Sequence, residues 1–263
     1  MLTRRKFLVL LPGAAAGAVM LQCSICTALA QELSADDQLL AAASGDQQSP
    51  INFRTRQVLR GRNAKPLIVN YPTRVDMEVE YISKDQDCDA RGPQDTIEAT
   101  GFSQPAFVRF DGDRWDLEQF HFHRRSEHRV NGQDFPMEQH FVHMREDGKI
   151  LVVGLFLIRG GNAPQDEVLA ELPQECGPNI SLSCINLKAM LPRDLTAFRY
   201  RGSLTTGDEE PYMEGVRWNV LREQMRIQND SIQRFRALFP AGNARPTQPV
   251  NDRKVRLAPG RFA

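Results

Sequence analysis

Residues Ile150-Leu-Val-Val-Gly-Leu-Phe-Leu-Ile158 form a nine-residue run without a polar side chain. A run of this length with no polar face reads as a strand buried on both sides, at the centre of a sheet. Outward from it, Met137 to Met144 and Asp116 to His123 are further strand-like stretches. Asn131-Gly132 between them is the dipeptide that favours a tight hairpin turn. Short runs at Val75 to Tyr81, Ala106 to Phe110 and Val216 to Leu221, set apart by Gly, Pro, Asn and Asp, extend the pattern. The expected fold is mainly β, with a few short surface helices. Asn229-Asp230-Ser231 offers capping side chains to a helix with Ile232, Phe235, Leu238 and Phe239 on one face, and Asp166 to Leu172 suits another. The tail from Asn243, rich in Arg, Pro and Asn, is expected to be an irregular surface strap.

The chain has 263 residues, 41% hydrophobic and 25% charged, the balance of a folded globular protein. Basic and acidic residues number 33 each, so no overall positive field exists to hold a nucleic-acid backbone. Thr3-Arg4-Arg5-Lys6-Phe7-Leu8 resembles a twin-arginine export signal, followed by an uncharged stretch that ends in Ala28-Leu29-Ala30. Residues 1–30 are therefore expected to be a signal peptide, 31–46 an arm and 47–263 one domain, periplasmic or secreted and not stably inserted in a membrane. Without residues 1–30 the chain carries a net charge of about −3. Cys88, Cys176 and Cys184 then remain in an oxidising compartment. Cys176 and Cys184 flank a short loop they could close, and either other pairing stays open.

Chemistry concentrates in Gln119-Phe-His-Phe-His-Arg-Arg-Ser-Glu-His128 and Met137-Glu-Gln-His-Phe-Val-His143. Residues two apart on a strand share a face, so His121, His123 and Gln119 project together, as do His140 and Glu138 on the next strand. Three neutral imidazoles suit zinc or another divalent metal, and three protein ligands leave a position open for water. Four of the five histidines, His121, His123, His140 and His143, lie among Phe120, Phe122, Phe141 and Val142, where unligated imidazoles are costly to bury.

Gln48-Ser-Pro-Ile-Asn52, Gln119-Phe-His-Phe-His123, Ser126-Glu-His128, Glu138-Gln-His-Phe-Val-His143, Tyr200-Arg-Gly-Ser-Leu-Thr-Thr206 and Asn243-Ala-Arg-Pro-Thr-Gln-Pro-Val-Asn-Asp-Arg253 occur in the order of the signature segments of α-class carbonic anhydrases, which they resemble. The resemblance implies a twisted, largely antiparallel sheet. It also implies Zn2+ on His121, His123 and His140, and reversible hydration of carbon dioxide to bicarbonate and a proton by zinc-bound hydroxide. It further implies that Thr205 orients that nucleophile by donating to Glu127, and that Gln119 and Glu138 hydrogen-bond the outer nitrogens of His121 and His140. Val142, Val152, Leu204 and Trp218 match the apolar wall beside the nucleophile, with Thr206 next to it, and His128 and His143 match structural positions. Departures are equally specific. The N-terminal tryptophan and tyrosine segment has no counterpart before Gln48, Arg124-Arg125 replaces Trp-Gly, and Gly207-Asp-Glu-Glu-Pro211 replaces a double proline. Phe102 stands at the approximate place of a proton-shuttling histidine, so the shuttle is expected to be missing. These departures suggest the alternative of a catalytically weak or inactive related protein with a binding or structural role.

Overall fold

The computed structural model describes residues 45–61, 64–84 and 91–263; the expected signal peptide and nearly all of the arm lie outside them. A 14-stranded sheet dominates. Its main path runs through Ile180–Ile185, Val75–Ile82, Thr96–Thr100, Asp113–His123, Met137–Met144, Ile150–Arg159, Glu214–Leu221, Ala197–Ser203, Arg256–Ala258 and Leu59–Arg60. Ile150–Arg159 lies mid-path, buried over its first eight residues. It pairs antiparallel with Met137–Met144 and parallel with Glu214–Leu221. Apart from that pair and Arg256–Ala258 with Leu59–Arg60, the neighbours on this path are antiparallel.

Alternation along the strands divides the core into two clusters. Leu151, Val153, Leu155, Phe120, Phe122 and Phe141 join one. Ile150, Val152, Phe156, Val142, Tyr200 and Trp218 join the other, on the face that carries the histidines of interest. Asn131 and Gly132 turn the chain with φ of 52° and 87°, conformations that a tight hairpin turn requires.

Three expectations are corrected and one open pairing is narrowed. The helix Asn229–Leu238 forms and buries Ile232, Phe235 and Leu238, but its own first residues supply no cap. Asp166 does so from a neighbouring segment: Oδ1 accepts from the Gln228 N–H and from Ser231 Oγ, at 2.9 and 2.6 Å, so a full negative charge meets the helix start. Asp166 itself lies in a single turn, Gln165–Val168, shorter than the segment expected there. The tail is irregular only in part, because Arg256–Ala258 and Gly260–Phe262 each add to a strand, where Pro259 between them costs no inner ladder bond. Finally, Cys184 is free and exposed whereas Cys176 is disulfide-bonded, so the Cys176–Cys184 loop is not closed. The Cys184 N–H is engaged by Asp76 Oδ1 instead, at an irregularity of the strand, and the partner of Cys176 lies outside the described residues.

Candidate metal centre

The antiparallel register of Asp113–His123 with Met137–Met144 sets His121 opposite His140 and His123 opposite Glu138. The three rings of His121, His123 and His140 gather with centroids 4.6–5.2 Å apart. Each donates one N–H outward: His121 Nδ1 to Gln119 Oε1 at 2.7 Å, His123 Nδ1 to the Asn243 carbonyl at 3.0 Å, and His140 Nε2 to Glu138 Oε1 at 2.9 Å. A neutral imidazole that donates from one nitrogen keeps a lone pair on the other. The lone pairs left are on Nε2 of His121, Nε2 of His123 and Nδ1 of His140, and one ligand atom from each residue lies within 4.8 Å of the others. Burial pushes the pKa of His121 well below the ordinary imidazole value and lowers that of His123, which keeps both rings neutral. His123 Nε2 is buried with no hydrogen-bond partner. A buried nitrogen lone pair aimed into a cluster of two more is the donor set a divalent ion such as zinc takes.

The supports are themselves fixed. Gln119 Nε2 donates to Glu98 Oε2 at 2.7 Å. Burial raises the pKa of Glu138, but the donors His128 and His140 outweigh burial and hold it well below the usual carboxylate range. His128 donates Nδ1–H to Glu138 and meets the Tyr200 hydroxyl at Nε2, while His143 bonds Tyr71 OH and the Leu151 carbonyl. Both ring nitrogens of each are thus engaged. Asn243, whose role was not read from the sequence, holds the site from below. Besides accepting from the His123 Nδ1–H through its backbone carbonyl, it accepts from the Arg124 N–H and donates to the Asp95 and Phe122 carbonyls through its side chain.

Val142, Val152, Leu204, Thr205, Thr206 and Trp218 line one cavity with the three histidines and Gln119, and Lys84, Gln94, Thr96 and Glu98 complete its wall. One expectation fails here. Phe102 does not line the cavity; it packs on Phe120 of the opposite core cluster, ring centroids 6.0 Å apart, and the nearby wall comes from Lys84, Gln94, Thr96 and Glu98 instead. Glu127 Oε1 accepts from the Arg245 N–H at 2.9 Å and Oε2 is buried without a partner, so the carboxylate makes no hydrogen bond to Thr205 here and keeps one acceptor open. The loop 207–211 stays out of the cavity lining. Glu210 pairs with Arg245 at 2.8 Å, and the Gly207 N–H reaches Gln94 Oε1 at 2.9 Å. Arg124, where the resemblance places a ring, donates to the Phe239 and Pro240 carbonyls.

A sheet that presents three histidines to a half-apolar cavity, each ring oriented by its own acceptor, defines a β-sheet metal-site protein of the α-carbonic anhydrase class. Residues 35–259 match the family model for eukaryotic-type carbonic anhydrases. The chain belongs to that family. It is 38% identical over 153 residues to a carbonic anhydrase of Nostoc, covering 57% of this chain and 56% of that one. To human carbonic anhydrase 7 it is 31% identical over 253 residues, covering 84% and 92%. The match thus spans little more than half of the Nostoc relative's length, and 59% of that of a Pectobacterium one. Among solved structures, the Thermovibrio ammonificans α-carbonic anhydrase in complex with the inhibitor sulfanilamide aligns with a TM-score of 0.70 at 33% identity, covering 83% of this chain and 90% of that one.

Proposed function

We propose that this chain catalyses the zinc-dependent reversible hydration of carbon dioxide to bicarbonate and a proton. The observation that carries the reading is His123 Nε2, buried and unpartnered beside the free lone pairs of His121 and His140. The names of the relatives support it. His121, His123 and His140 would hold zinc, which would supply the Lewis acidity that makes water a nucleophile near neutrality. Gln119, Asn243 and Glu138 hold the three rings in the tautomers that aim lone pairs inward. Val142, Val152, Leu204 and Trp218 offer a nonpolar substrate a dry surface next to the histidines. Glu127 Oε2 is the acceptor open to the Thr205 hydroxyl; once that proton is donated there, the Thr205 oxygen can only accept, which orients the attacking group. Thr206 extends the same polar rim.

All five histidines are occupied, three in the cluster and His128 and His143 by hydrogen bonds at both nitrogens, so proton export falls to external buffer. The test is stopped-flow hydration on zinc-quantified protein. A rate proportional to zinc content, rising with imidazole-type buffer, is expected; fully zinc-loaded chain no faster than the buffer blank would favour the binding or structural alternative. Export by the residue 1–30 signal to the periplasm or medium is part of the same proposal, supported by Arg4-Arg5 and Ala28-Leu29-Ala30. Fractionation of cells expressing the full chain and an Arg4→Lys/Arg5→Lys variant checks it, with cytoplasmic retention expected only for the variant.

A further inference from the structure

The cavity that holds the three histidines spans six neighbouring strands of the sheet. In sheet order, Thr96–Thr100, Asp113–His123, Met137–Met144, Ile150–Arg159 and Glu214–Leu221 contribute Thr96, His121, His140, Val152 and Trp218, and Thr205 follows the end of the sixth strand, Ala197–Ser203. Five strand spacings of about 4.8 Å put the two outer walls about 24 Å apart along the sheet. The segments that leave those two sides nevertheless meet, because the Gly207 N–H donates to Gln94 Oε1 at 2.9 Å. Gln94 lines the cavity just ahead of Thr96, and Gly207 directly follows Thr206 of the facing wall. This hydrogen bond crosses from wall to wall and closes the chain into a ring round the cavity.

Both sides of the crossing are anchored. Asp95, beside Gln94, is fully buried, and its carboxylate accepts from Tyr81 OH and from the Lys84 and Gly92 N–H groups at 3.0, 2.9 and 2.8 Å. Opposite, Gly207 packs so closely on the Tyr212 ring that a Cβ would lie 3.0 Å from Cδ1. Tyr212 is in turn clasped by Gln48, which accepts from its N–H at 2.9 Å and donates to its carbonyl at 2.8 Å. A hydrogen bond between two segments already held in place costs little ordering entropy when it forms. The space it encloses is small, about 30 Å³, room for about two waters.

We infer that Gln94 sets the size of ligand that reaches the three histidines, its hydrogen bond to Gly207 acting as a fixed bar across the cavity mouth. This rests on the function proposed above and names the size class its site accepts. Carbon dioxide and bicarbonate, of three and four heavy atoms, match the enclosed space, whereas a ligand with the same polar head and an aromatic ring behind it does not. Gln94→Ala deletes the acceptor and opens the mouth. Gln94→Glu keeps the bar, since a carboxylate also accepts from an N–H.

The experiment compares the full chain with these two variants. The first readout needs no metal: diethyl pyrocarbonate, a reagent larger than the cavity, acylates imidazole, and its adducts are mapped by mass spectrometry on the metal-free proteins. His121 is only partly buried, whereas the other four histidines are buried, so His121 reports on the mouth and His143 on general loosening. His121 is expected to react about fivefold faster in Gln94→Ala than in wild type, the scale of one net hydrogen bond, and at the wild-type rate in Gln94→Glu, with His143 protected throughout. The second readout is calorimetric titration of the zinc-loaded proteins with formate and benzoate, which share a carboxylate and differ by a phenyl ring. The preference for formate is expected to fall about fivefold in Gln94→Ala and to hold in Gln94→Glu. Equal His121 modification in wild type and Gln94→Ala, or a wild type that binds benzoate as tightly as formate, would overturn the inference. A wild-type chain that protects His121 but takes up no zinc would overturn the proposed function and leave the bar across the mouth standing.

Discussion

Gly202 sits against Ser49, Tyr200 and Trp218, and Gly202→Ala offers a stringent test of that packing. A Cβ built on Gly202 would overlap Ser49 Oγ and lie 2.7 Å from Tyr200 Cε2 and 3.0 Å from Trp218 Cδ1. Its backbone is not in the left-handed region, so alanine meets no conformational strain and gains about 0.5–1 kcal/mol from a stiffer unfolded chain. To make room Ser49 Oγ must retreat by about 1 Å, which breaks its bonds to Tyr200 OH and the Ser203 N–H. Each buried group left unsatisfied costs about 1–3 kcal/mol, and overpacking against the two rings adds about 1–3 kcal/mol. The net expectation is a loss of about 2–8 kcal/mol in urea unfolding of the zinc-free protein. The clash also predicts coupling. Ser49→Ala alone removes the two bonds, and on that background the Gly202→Ala cost should shrink by at least about 1 kcal/mol in a double-mutant cycle. Additive effects, or a Gly202→Ala variant as stable as wild type, would refute the close packing on which the argument depends.

Burial lowers the pKa of His143 to about 4, against an ordinary 6.5. The unfolded chain therefore takes up this proton first, and stability is expected to fall by about 3 kcal/mol between pH 6.5 and 4 on account of this residue. His143→Gln should flatten that part of the profile in urea titrations, and an unchanged slope would remove His143 from the account. Phe102→His puts an imidazole against Phe120 rather than into the cavity, so it should cost about 1–3 kcal/mol of stability and leave hydration at low buffer no faster. Thr205→Val should retain zinc while slowing hydration by about 10²–10³-fold in stopped flow, the scale of a lost oriented hydrogen bond.

The sheet was legible wherever a strand carries an apolar run or hairpin punctuation, as in Ile150–Arg159 and around Asn131-Gly132. Thr96–Thr100 was not, because four of its five residues are buried, Glu98 included, with that carboxylate engaged by Gln119. No hydrophobic pattern announces a strand whose polar residues face a polar cavity. The edge strands near the C terminus were hidden for another reason, since Arg256 and Arg261 face solvent and Pro259 interrupts them. The three histidines followed from strand periodicity, and Gln119 and Glu138 from the family resemblance. Asn243 acts on His123 through its backbone carbonyl, an atom every residue possesses, so nothing in its identity reveals that contact. Lys84 and Gln94 reach the cavity, whereas Phe102, at the place where the resemblance puts a proton-shuttling histidine, packs away from it.

Zinc stoichiometry under competition addresses the three-histidine assignment most directly. His140→Ala and His143→Ala remove two buried imidazoles three positions apart on one strand, one inside the cluster and one engaged elsewhere. Against a chelator that holds free zinc below micromolar, wild type and His143→Ala are predicted to retain about one zinc per chain, while His140→Ala, left with two nitrogens, loses it. Equal zinc content in the two variants would contradict the assignment.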